Sequence, residues 1–191
     1  MKKIVQLSKV KSLKGDLVPP PDKSISHRAV MLASIADGKS IVRNFLMAED
    51  PKSTMNAFRL MGIEIEEDRS EVSRPQSQNA KLIINGKGFF GLKEPFDVID
   101  CGNSGTTVRL ISGILSGNTF FSVLTGDDSL KQRPMARVIN PLKEMGANIL
   151  ARNSDKYLPM AIKGKGLKAI KYDMPIASAQ VKSCLILAGL Y

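Results

Sequence analysis

Two spacings of apolar residues alternate along the chain. Short apolar runs predict strands, and longer runs with apolar residues three to four positions apart predict helices. The predicted strands cover residues 3–7, 14–18, 40–46, 63–67, 81–85, 96–100, 119–124, 147–151, 159–163 and 168–173. The predicted helices cover residues 26–37, 51–61, 105–116, 134–145 and 180–190. Because strands and helices alternate, the pattern favours an α/β fold with parallel neighbouring strands.

The beginnings of three helices are similar to one another. Ser24, Asn103 and Ser178 each precede or begin an apolar helical run, and they lie 79 and 75 residues apart. After the first two, the same succession follows: a strand, an acidic turn, a helix that ends near Gly62 or Gly146, and a short strand. This periodicity predicts repeated βαβαββ units, two complete and a third begun. If the units pack around a pseudo-threefold axis, their opening helices point at one common face.

Two further expectations concern the end of the third unit and a polar stretch inside the first. The third unit stops at Tyr191, whereas the first two continue for dozens of residues beyond the same point. A unit without its later strands would leave a helix face and a sheet edge uncovered, so we expect the chain to be a fragment of a longer protein. The polar stretch from Asp68 to Asn79 is typical of an exposed hairpin loop.

Charge and composition narrow the class of ligand. The net charge of +10 calls for a negative partner, but aromatic residues are only 5% of the chain and Trp is absent, which disfavours nucleic acid. No apolar run reaches the roughly 18 residues of a membrane span, and the N-terminus lacks a signal-peptide core. We therefore expect a cytoplasmic protein that binds small anionic ligands.

The cysteines and the single histidine do not predict a metal site. Cys101 and Cys184 are too few and too distant for a metal cluster, and we expect both to be small buried residues without a disulfide. His27 lies inside the first helix opening, where a hydrogen-bonding or helix-face role is favoured over metal ligation. No metal and no cofactor are predicted.

Cations accompany the helix openings. They are Lys23, Arg28, Arg109 and Lys182. Ser24 or Ser26 is expected to cap the first helix. The unpaired N–H groups and partial positive charge of a helix N-terminus, together with fixed cations, suit a phosphate or carboxylate. The alternative is a capped helix with two solvated basic residues.

One further cation precedes the fourth predicted helix. Arg133 is followed by Pro134 at the first turn, and its guanidinium can bind a carboxylate or phosphate through two hydrogen bonds. The alternative is a surface arginine that balances Asp127 and Asp128.

Four of these segments occur together in one known family. They are 23–28 (Lys-Ser-Ile-Ser-His-Arg), 103–106 (Asn-Ser-Gly-Thr), 133–135 (Arg-Pro-Met) and 178–180 (Ser-Ala-Gln). In order and spacing they resemble 5-enolpyruvylshikimate-3-phosphate synthase over residues 10–191. The resemblance implies one incomplete lobe of a two-lobe fold, each lobe having three βαβαββ units around a pseudo-threefold axis. Residues 1–14 would be a strand region of the other lobe, and residues 15–191 the N-terminal substrate-binding lobe.

The resemblance also implies an activity. Enzymes of this family transfer the enolpyruvyl group of phosphoenolpyruvate to the 5-hydroxyl of shikimate 3-phosphate and release phosphate, in aromatic amino-acid biosynthesis. They need no metal or redox cofactor, act in the cytoplasm and are inhibited by glyphosate at the phosphoenolpyruvate position. The second half would supply the acid/base carboxylates, so we expect this chain alone to be inactive, and the full-length enzyme to be a monomer.

The site residues follow from the same resemblance. Those implied for shikimate 3-phosphate are Lys23, Ser24, Arg28, Ser178, Ala179 and Gln180. Those implied for phosphoenolpyruvate are Lys23, Asn103, Gly105, Arg133 and Gln180. Lys23 touches both substrates and is the implied catalytic residue. One departure is Pro21, which stands where the family usually has Gly and stiffens the first loop.

Two alternatives remain from the sequence. A UDP-N-acetylglucosamine enolpyruvyl transferase shares the fold and one substrate, but it lacks the Lys-Ser-x-Ser-x-Arg segment and carries a catalytic Cys in a loop where residues 126–133 contain none. A non-catalytic anion- or RNA-binding module of the same repeat is the other alternative, and the lack of stacking aromatic residues disfavours it.

Overall fold

The computed structural model describes residues 4–6, 8–68 and 79–191. The helices are α1 (Lys23–Ile35), α2 (Glu49–Leu60), α3 (Gly105–Gly117), α4 (Asp128–Lys131), α5 (Ala136–Glu144), α6 (Arg152–Asp155) and α7 (Ala179–Ala188). The strands are β1 (Asp37–Leu46), β2 (Glu64–Asp68), β3 (Asn79–Lys87), β4 (Ile99–Asp100), β5 (Phe121–Thr125), β6 (Asn148–Ala151) and β7 (Tyr157–Lys163). The hairpin loop predicted between β2 and β3 lies outside the described residues.

The two sheets have the same order. The first sheet is β1-β3-β2, and the second is β4-β5-β7-β6, so that β5-β7-β6 repeats the order of the first. In each unit a helix follows the first of these strands, α2 after β1 and α5 after β5. The predicted repeat is therefore confirmed, and the second unit shows the full βαβαββ succession.

The predicted parallel neighbours are wrong for all pairs but one. Among the described strands only β4 and β5 pair in parallel, whereas β3 is antiparallel to both β1 and β2, and β7 is antiparallel to both β5 and β6. The helix connection does make β1 and β2 run in the same direction, as the alternation predicts. β3, the last strand of the unit, then inserts between β1 and β2, so that both pairings in the first sheet are antiparallel.

Some predicted strands are absent and some short helical turns are new. Residues 4–6, 14–18 and 168–173 pair with no strand in the described chain and are irregular, because an extended segment becomes a strand only when a neighbour takes up its backbone hydrogen bonds. The sequence analysis also missed α4 and α6, each four residues long. Among the described helices, none combines the length and hydropathy that a membrane span needs.

Helix α3 lies at the centre of the hydrophobic core. The fully buried side chains of α3 include Leu110, Ile111, Ile114 and Leu115. It packs against α7 so closely that a Cβ on Gly113 would lie 2.2 Å from the backbone oxygen of Cys184. Cys101 and Cys184 are buried and unpaired, which confirms their predicted role, and burial raises the pKa of both thiols.

The cap of α1 differs from the prediction. The helix begins at Lys23, and the Asp22 carboxylate accepts a hydrogen bond of 2.7 Å from the Ile25 N–H. Ser24 therefore lies in the first turn. Ser26 connects the helix to its surroundings, since its Oγ donates to the Asp22 carbonyl and accepts from the Leu46 N–H of β1. The predicted Ser caps are wrong, because a carboxylate one residue before the helix is already placed to receive the free N–H groups.

Replacing Asp22 by Ala should destabilise the fold by about 1 kcal/mol, because the helix N-terminus loses its side-chain acceptor. Asp22→Asn keeps an acceptor and should cost only a few tenths of that amount. Urea unfolding followed by circular dichroism measures these differences. Ser24→Ala is the matched control and should change the free energy of unfolding very little. A loss at Ser24 as large as that at Asp22 would contradict the assignment of the cap.

Candidate functional site

Side-chain hydrogen bonds join the N-terminal halves of α1, α3 and α7. The Arg28 guanidinium of α1 donates to Ser183 Oγ of α7 over 2.8 Å. Gln180 Nε2 of α7 donates to Thr106 Oγ1 of α3 over 3.0 Å. These bonds join three helix N-termini, whose unpaired N–H groups and partial positive charges add together at one face. The repeat predicted this convergence, and the helix ends are where it placed the anion site.

At α1, two cations point in different directions. Lys23 Nζ lies 3.0 Å from Asp50 Oδ2 in the first turn of α2, and its side chain is half-exposed. Arg28 donates to the Ser24 carbonyl over 3.1 Å with one terminal nitrogen and reaches α7 with the other. Ser24 itself is exposed. The arrangement leaves the Ser24 hydroxyl and the Lys23 ammonium accessible to a ligand at the end of α1.

At α3, two arginines crowd a glycine. Ser104 caps the helix, and its Oγ accepts a hydrogen bond of 3.1 Å from the Thr107 N–H, so Asn103 and Gly105 flank the cap. A Cβ on Gly105 would lie 2.6 Å from an Arg109 terminal nitrogen and 3.3 Å from one of Arg133. Gly105 is therefore the residue that lets both guanidinium groups approach the helix end.

Arg109 holds three segments of the site together. Its guanidinium donates to Gln180 Oε1 over 3.0 Å, to the Pro134 carbonyl over 3.2 Å and to the Gly105 carbonyl over 3.4 Å. Burial, then the positive charges of Arg133 and Arg137, lower the pKa of Arg109. Partial burial and the neighbouring positive charges both act against the charged guanidinium, and a bound anion would offset them.

At α7, Gln180 is fixed at both ends of its amide. Oε1 accepts from Arg109, and Nε2 donates to Thr106. Ser178 caps the helix by accepting from the Val181 N–H over 3.3 Å, and Ala179 is the first residue of the helix. Ser178, Ala179 and Gln180 thus lie at the end of α7 that faces α1 and α3.

Lys182 does not join this group, contrary to the sequence expectation. It follows Gln180 by two residues, about 200° around the helix. It lines a cavity on the other side of α7 together with Met145 and Tyr172. The sequence placed Lys182 correctly in the early helix but could not give the direction of its side chain.

Arg133 is not used to balance its acidic neighbours. Its guanidinium donates to Ser129 Oγ over 3.4 Å. Asp127 caps α4 by accepting from the Leu130 N–H over 2.7 Å, and Asp128 pairs with Lys131 at 3.6 Å. The Arg133 side chain is therefore held near Gly105 with its charge still open to a ligand.

His27 is buried beneath the end of α1. Its Nδ1 lies 2.6 Å from Thr54 Oγ1 of α2, which confirms the predicted hydrogen-bonding role. Burial, against the opposing influence of Asp50 and with help from the positive charges of Lys23 and Arg28, lowers the pKa of His27 to about 4. The ring is therefore neutral at physiological pH. Within the described residues, no group of acidic, Cys and His side chains is arranged to hold a metal ion.

The family model for EPSP synthase (3-phosphoshikimate 1-carboxyvinyltransferase) matches residues 7–191. The chain belongs to the EPSP synthase family. It is 57% identical to the 3-phosphoshikimate 1-carboxyvinyltransferase of Thermodesulfovibrio yellowstonii over 185 residues, which are 97% of this chain and 41% of that protein. To the enzyme of the same name from Synechocystis it is 54% identical over 181 residues, or 94% of this chain and 38% of that protein.

A solved structure shows the same fold. EPSP synthase from Acinetobacter baumannii superimposes with a TM-score of 0.82 at 46% identity, over 92% of this chain and 38% of that one. The chain thus spans about two fifths of the length of the EPSP synthase relatives that it matches. The predicted fold class, one incomplete lobe of repeated units, is confirmed by this match.

Sequence reasoning missed the residues that hold the site residues in place. Asp50 pairs with Lys23, Thr106 supports Gln180, and Ser183 receives Arg28. Asp50 stood in the acidic turn that the repeat analysis identified, so that its position at a helix start was a usable signal. Thr106 and Ser183 are small polar residues in apolar runs, and nothing in the sequence tells which neighbour they face.

The buried His27 should make the fold less stable in acid. Its pKa in the folded protein, about 4, is below the ordinary value of 6.5, so the unfolded chain binds the extra proton more readily. The contribution of the neutral His27 to the free energy of unfolding is therefore fully present above pH 6.5. It is lost as the pH drops from about 6.5 to 4, by up to about 3 kcal/mol.

The measurement is the free energy of unfolding of the native sequence and of His27→Asn at several pH values in this range. The difference between them should shrink as the pH falls, because Asn does not titrate. A difference that stays constant across this range would show that His27 is not held neutral in the folded state.

Proposed function

We propose that this protein is the substrate-binding lobe of a 3-phosphoshikimate 1-carboxyvinyltransferase, which transfers the enolpyruvyl group of phosphoenolpyruvate to the 5-hydroxyl of shikimate 3-phosphate and releases phosphate. The observation that carries the proposal is the convergence of three helix N-termini with Lys23, Arg28, Arg109 and Arg133. The membership of the EPSP synthase family supports it. We further propose that the enzyme acts in the cytoplasm as a monomer, with small anions and not nucleic acid as its ligands.

This reaction requires two multiply charged anions to lie next to each other. Their mutual repulsion has to be offset by charges that do not need to rearrange during the reaction. Helix ends and the guanidinium groups around Gly105 are fixed by the packing of α1, α3 and α7, so they provide such charges. No metal ion is needed for this purpose.

The site divides into two halves. The α1 and α7 ends hold the shikimate 3-phosphate ligands, which are Lys23, Ser24, Arg28, Ser178, Ala179 and Gln180. The phosphoenolpyruvate site is centred on the α3 end, with Asn103 and Gly105 from that end and Lys23, Arg133 and Gln180 from its neighbours. Gln180 suits a place in both sets, because its amide already bridges α7 and α3. Lys23 suits both because it extends from the end of α1 towards α2.

The chemistry is an addition followed by an elimination. A proton adds to the methylene carbon of phosphoenolpyruvate. The 5-hydroxyl oxygen of shikimate 3-phosphate gives up its proton to a base and bonds to the adjacent carbon, which gives a tetrahedral ketal. Loss of a proton from the methyl group and departure of phosphate then restore the double bond. We assign Lys23 to contact both substrates during these steps. The acid and base groups, with further phosphoenolpyruvate ligands, are proposed to come from the remaining part of the full-length enzyme, whose closure over the site excludes water.

The UDP-sugar alternative is not favoured. That chemistry uses a reactive cysteine, and residues 126–133 contain none. Cys101 and Cys184 are both buried, and burial raises the pKa of Cys184 to about 12, so neither is placed to act as an accessible thiolate. The RNA-binding alternative is likewise not favoured, because the cations concentrate at three helix ends and not along an extended groove.

Removing either cation at the α1 end should weaken shikimate 3-phosphate binding. Lys23→Ala and Arg28→Ala each lose a charge-assisted hydrogen bond, and we expect each to cost about 1.5–3 kcal/mol in binding free energy. Isothermal titration calorimetry of the full-length enzyme measures this. Lys39→Ala, which removes an exposed lysine from β1, is the matched control and should bind as the native enzyme does. Unchanged affinity in both variants would overturn the site assignment.

Gly105→Ala should weaken glyphosate more than phosphoenolpyruvate. Glyphosate is the longer ligand at the phosphoenolpyruvate position, so a methyl group at the helix end clashes with it first. The Cβ would also lie 2.6 Å from the Arg109 guanidinium, so Arg109 must shift and both ligands should lose affinity.

The test compares the glyphosate inhibition constant and the KM for phosphoenolpyruvate of the native full-length enzyme and the variant. Gly166→Ala serves as the control, because a Cβ at Gly166 has no atom within 4 Å. Equal glyphosate inhibition constants for native and Gly105→Ala enzymes would refute the steric explanation.

A further inference from the structure

A chain of buried hydrogen bonds runs beneath the site from α1 to α3. His27 Nδ1 lies 2.6 Å from Thr54 Oγ1, and Thr54 Oγ1 lies 2.7 Å from Thr107 Oγ1. Thr107 Oγ1 lies 2.7 Å from Ser104 Oγ, the cap of α3. His27, Thr54, Thr107 and Ser104 are all fully buried. Four side chains from α1, α2 and the start of α3 thus form one continuous path.

The bonds at Thr107 determine which group is the donor at each step of the path. Thr107 Oγ1 is 3.3 Å from the Asp50 carbonyl, which can only accept, and 2.7 Å from Ser104 Oγ. A hydroxyl has one proton, and with either of these acceptors Thr107 uses it on the side away from Thr54. Thr107 then accepts from Thr54, and Thr54 accepts from His27. His27 therefore carries its proton on Nδ1.

The other ring nitrogen supports the same tautomer. His27 Nε2 is buried and has no hydrogen-bond partner among the described residues. A buried N–H without a partner is rarer than a buried lone pair without one, so the proton belongs on Nδ1. The ring is thus a donor to Thr54 only, and its single hydrogen bond is the link between α1 and the rest of the path.

We infer that His27 is a positioning residue of the site, whose Nδ1–H, acting through Thr54 and Thr107, sets the distance between the N-terminus of α1 and the Ser104 cap of α3. The two ends of the path carry the two halves of the site: Lys23 and Arg28 flank His27 in α1, and Gly105 follows Ser104. The inference deepens the proposed function and rests on it for the identity of the ligands. In this inference, His27, Thr54 and Thr107 do not contact the substrates.

The position of Asp50 gives the path a second effect. The Asp50 carboxylate pairs with Lys23, and the Asp50 carbonyl lies 3.3 Å from Thr107 Oγ1. One residue of α2 is therefore tied both to the catalytic lysine and to the buried path. A shift of α1 relative to α3 would change the place of Lys23 as well as the spacing of the helix ends, so binding of both substrates should respond together.

The experiment uses three variants of the full-length enzyme and one control. His27→Leu removes the donor at similar size, whereas His27→Asn keeps an N–H donor near the Nδ1 position. Thr107→Val removes the middle of the path without changing the shape of the side chain. Ser34→Ala is the control, because Ser34 is a buried serine of the same helix whose Oγ has no partner among the described residues.

We expect His27→Leu to raise the dissociation constant of shikimate 3-phosphate and the KM of phosphoenolpyruvate together, each about tenfold, with a smaller change in kcat. His27→Asn should restore most of the loss, and Ser34→Ala should leave both constants unchanged. The double variant His27→Leu/Thr107→Val should be no worse than the poorer single variant, because either change breaks the same path. Effects that multiply in the double variant, or a His27→Asn enzyme as poor as His27→Leu, would overturn the inference.

A measurement without substrate separates this inference from the proposed function. His27 is the one histidine in these 191 residues, and its ring signals in a histidine-labelled sample are found by subtracting the spectrum of His27→Asn. The ¹⁵N spectrum should show a neutral ring protonated on Nδ1 at neutral pH. A ring protonated on Nε2 would overturn the path even if the enzyme is active. A native enzyme that binds neither substrate would instead refute the proposed function and leave this spectrum unaffected.

Discussion

The close packing of α3 against α7 is the contact on which the rest of the molecule depends. Gly113 lets the two helix backbones meet, since a side chain there would overlap the Cys184 carbonyl. α3 is buried on almost all sides, so that its direction is fixed by the core and not by the surface. With α3 in place, α1 and α7 lie beside it and all three N-termini end at one face. The site is thus a consequence of how tightly the central helix is packed.

The same packing places Arg109 where its positive charge is disfavoured, and a bound anion would offset this. Arg109 is partly withdrawn from water and lies near Arg133 and Arg137, and both effects act against its charge. Only hydrogen-bond acceptors from the protein, among them Gln180 and two backbone carbonyls, stabilise it in the described structure. A bound anion would add the compensating negative charge.

Beneath these exposed cations, the supporting residues are neutral. His27 is uncharged and joins a row of hydroxyl groups, so the buried layer fixes positions without adding further positive charge. The division is useful because a charged histidine below Lys23 and Arg28 would repel both. Asp50 is the acidic residue that connects the two layers, through its carboxylate to Lys23 and through its backbone to Thr107.

Much of the fold could be predicted from the sequence, because the signals were local and repeated. The periodic helices, the Gly residues after them and the recurring openings indicated the two units and the three helix ends. The parallel pairing of neighbouring strands was predicted wrongly, because the insertion of β3 between β1 and β2 is a contact between distant residues. The strands predicted at 14–18 and 168–173 are irregular for a related reason, since strand formation depends on a partner as well as on local composition.

For the site, the sequence by itself determined which residue types stand at the helix beginnings, because capping, dipole and glycine requirements act within a single turn. These requirements indicated Lys23, whereas the roles of Gly105 and Gln180 were implied by the resemblance to the family. Only the tertiary structure decided which neighbours those side chains face. Three contacts depend on how the helices rotate and pack. Lys23 pairs with Asp50, Arg109 donates to Gln180, and Lys182 lines a cavity on the other side of α7. Such contacts join residues far apart in the chain, and no local pattern encodes them.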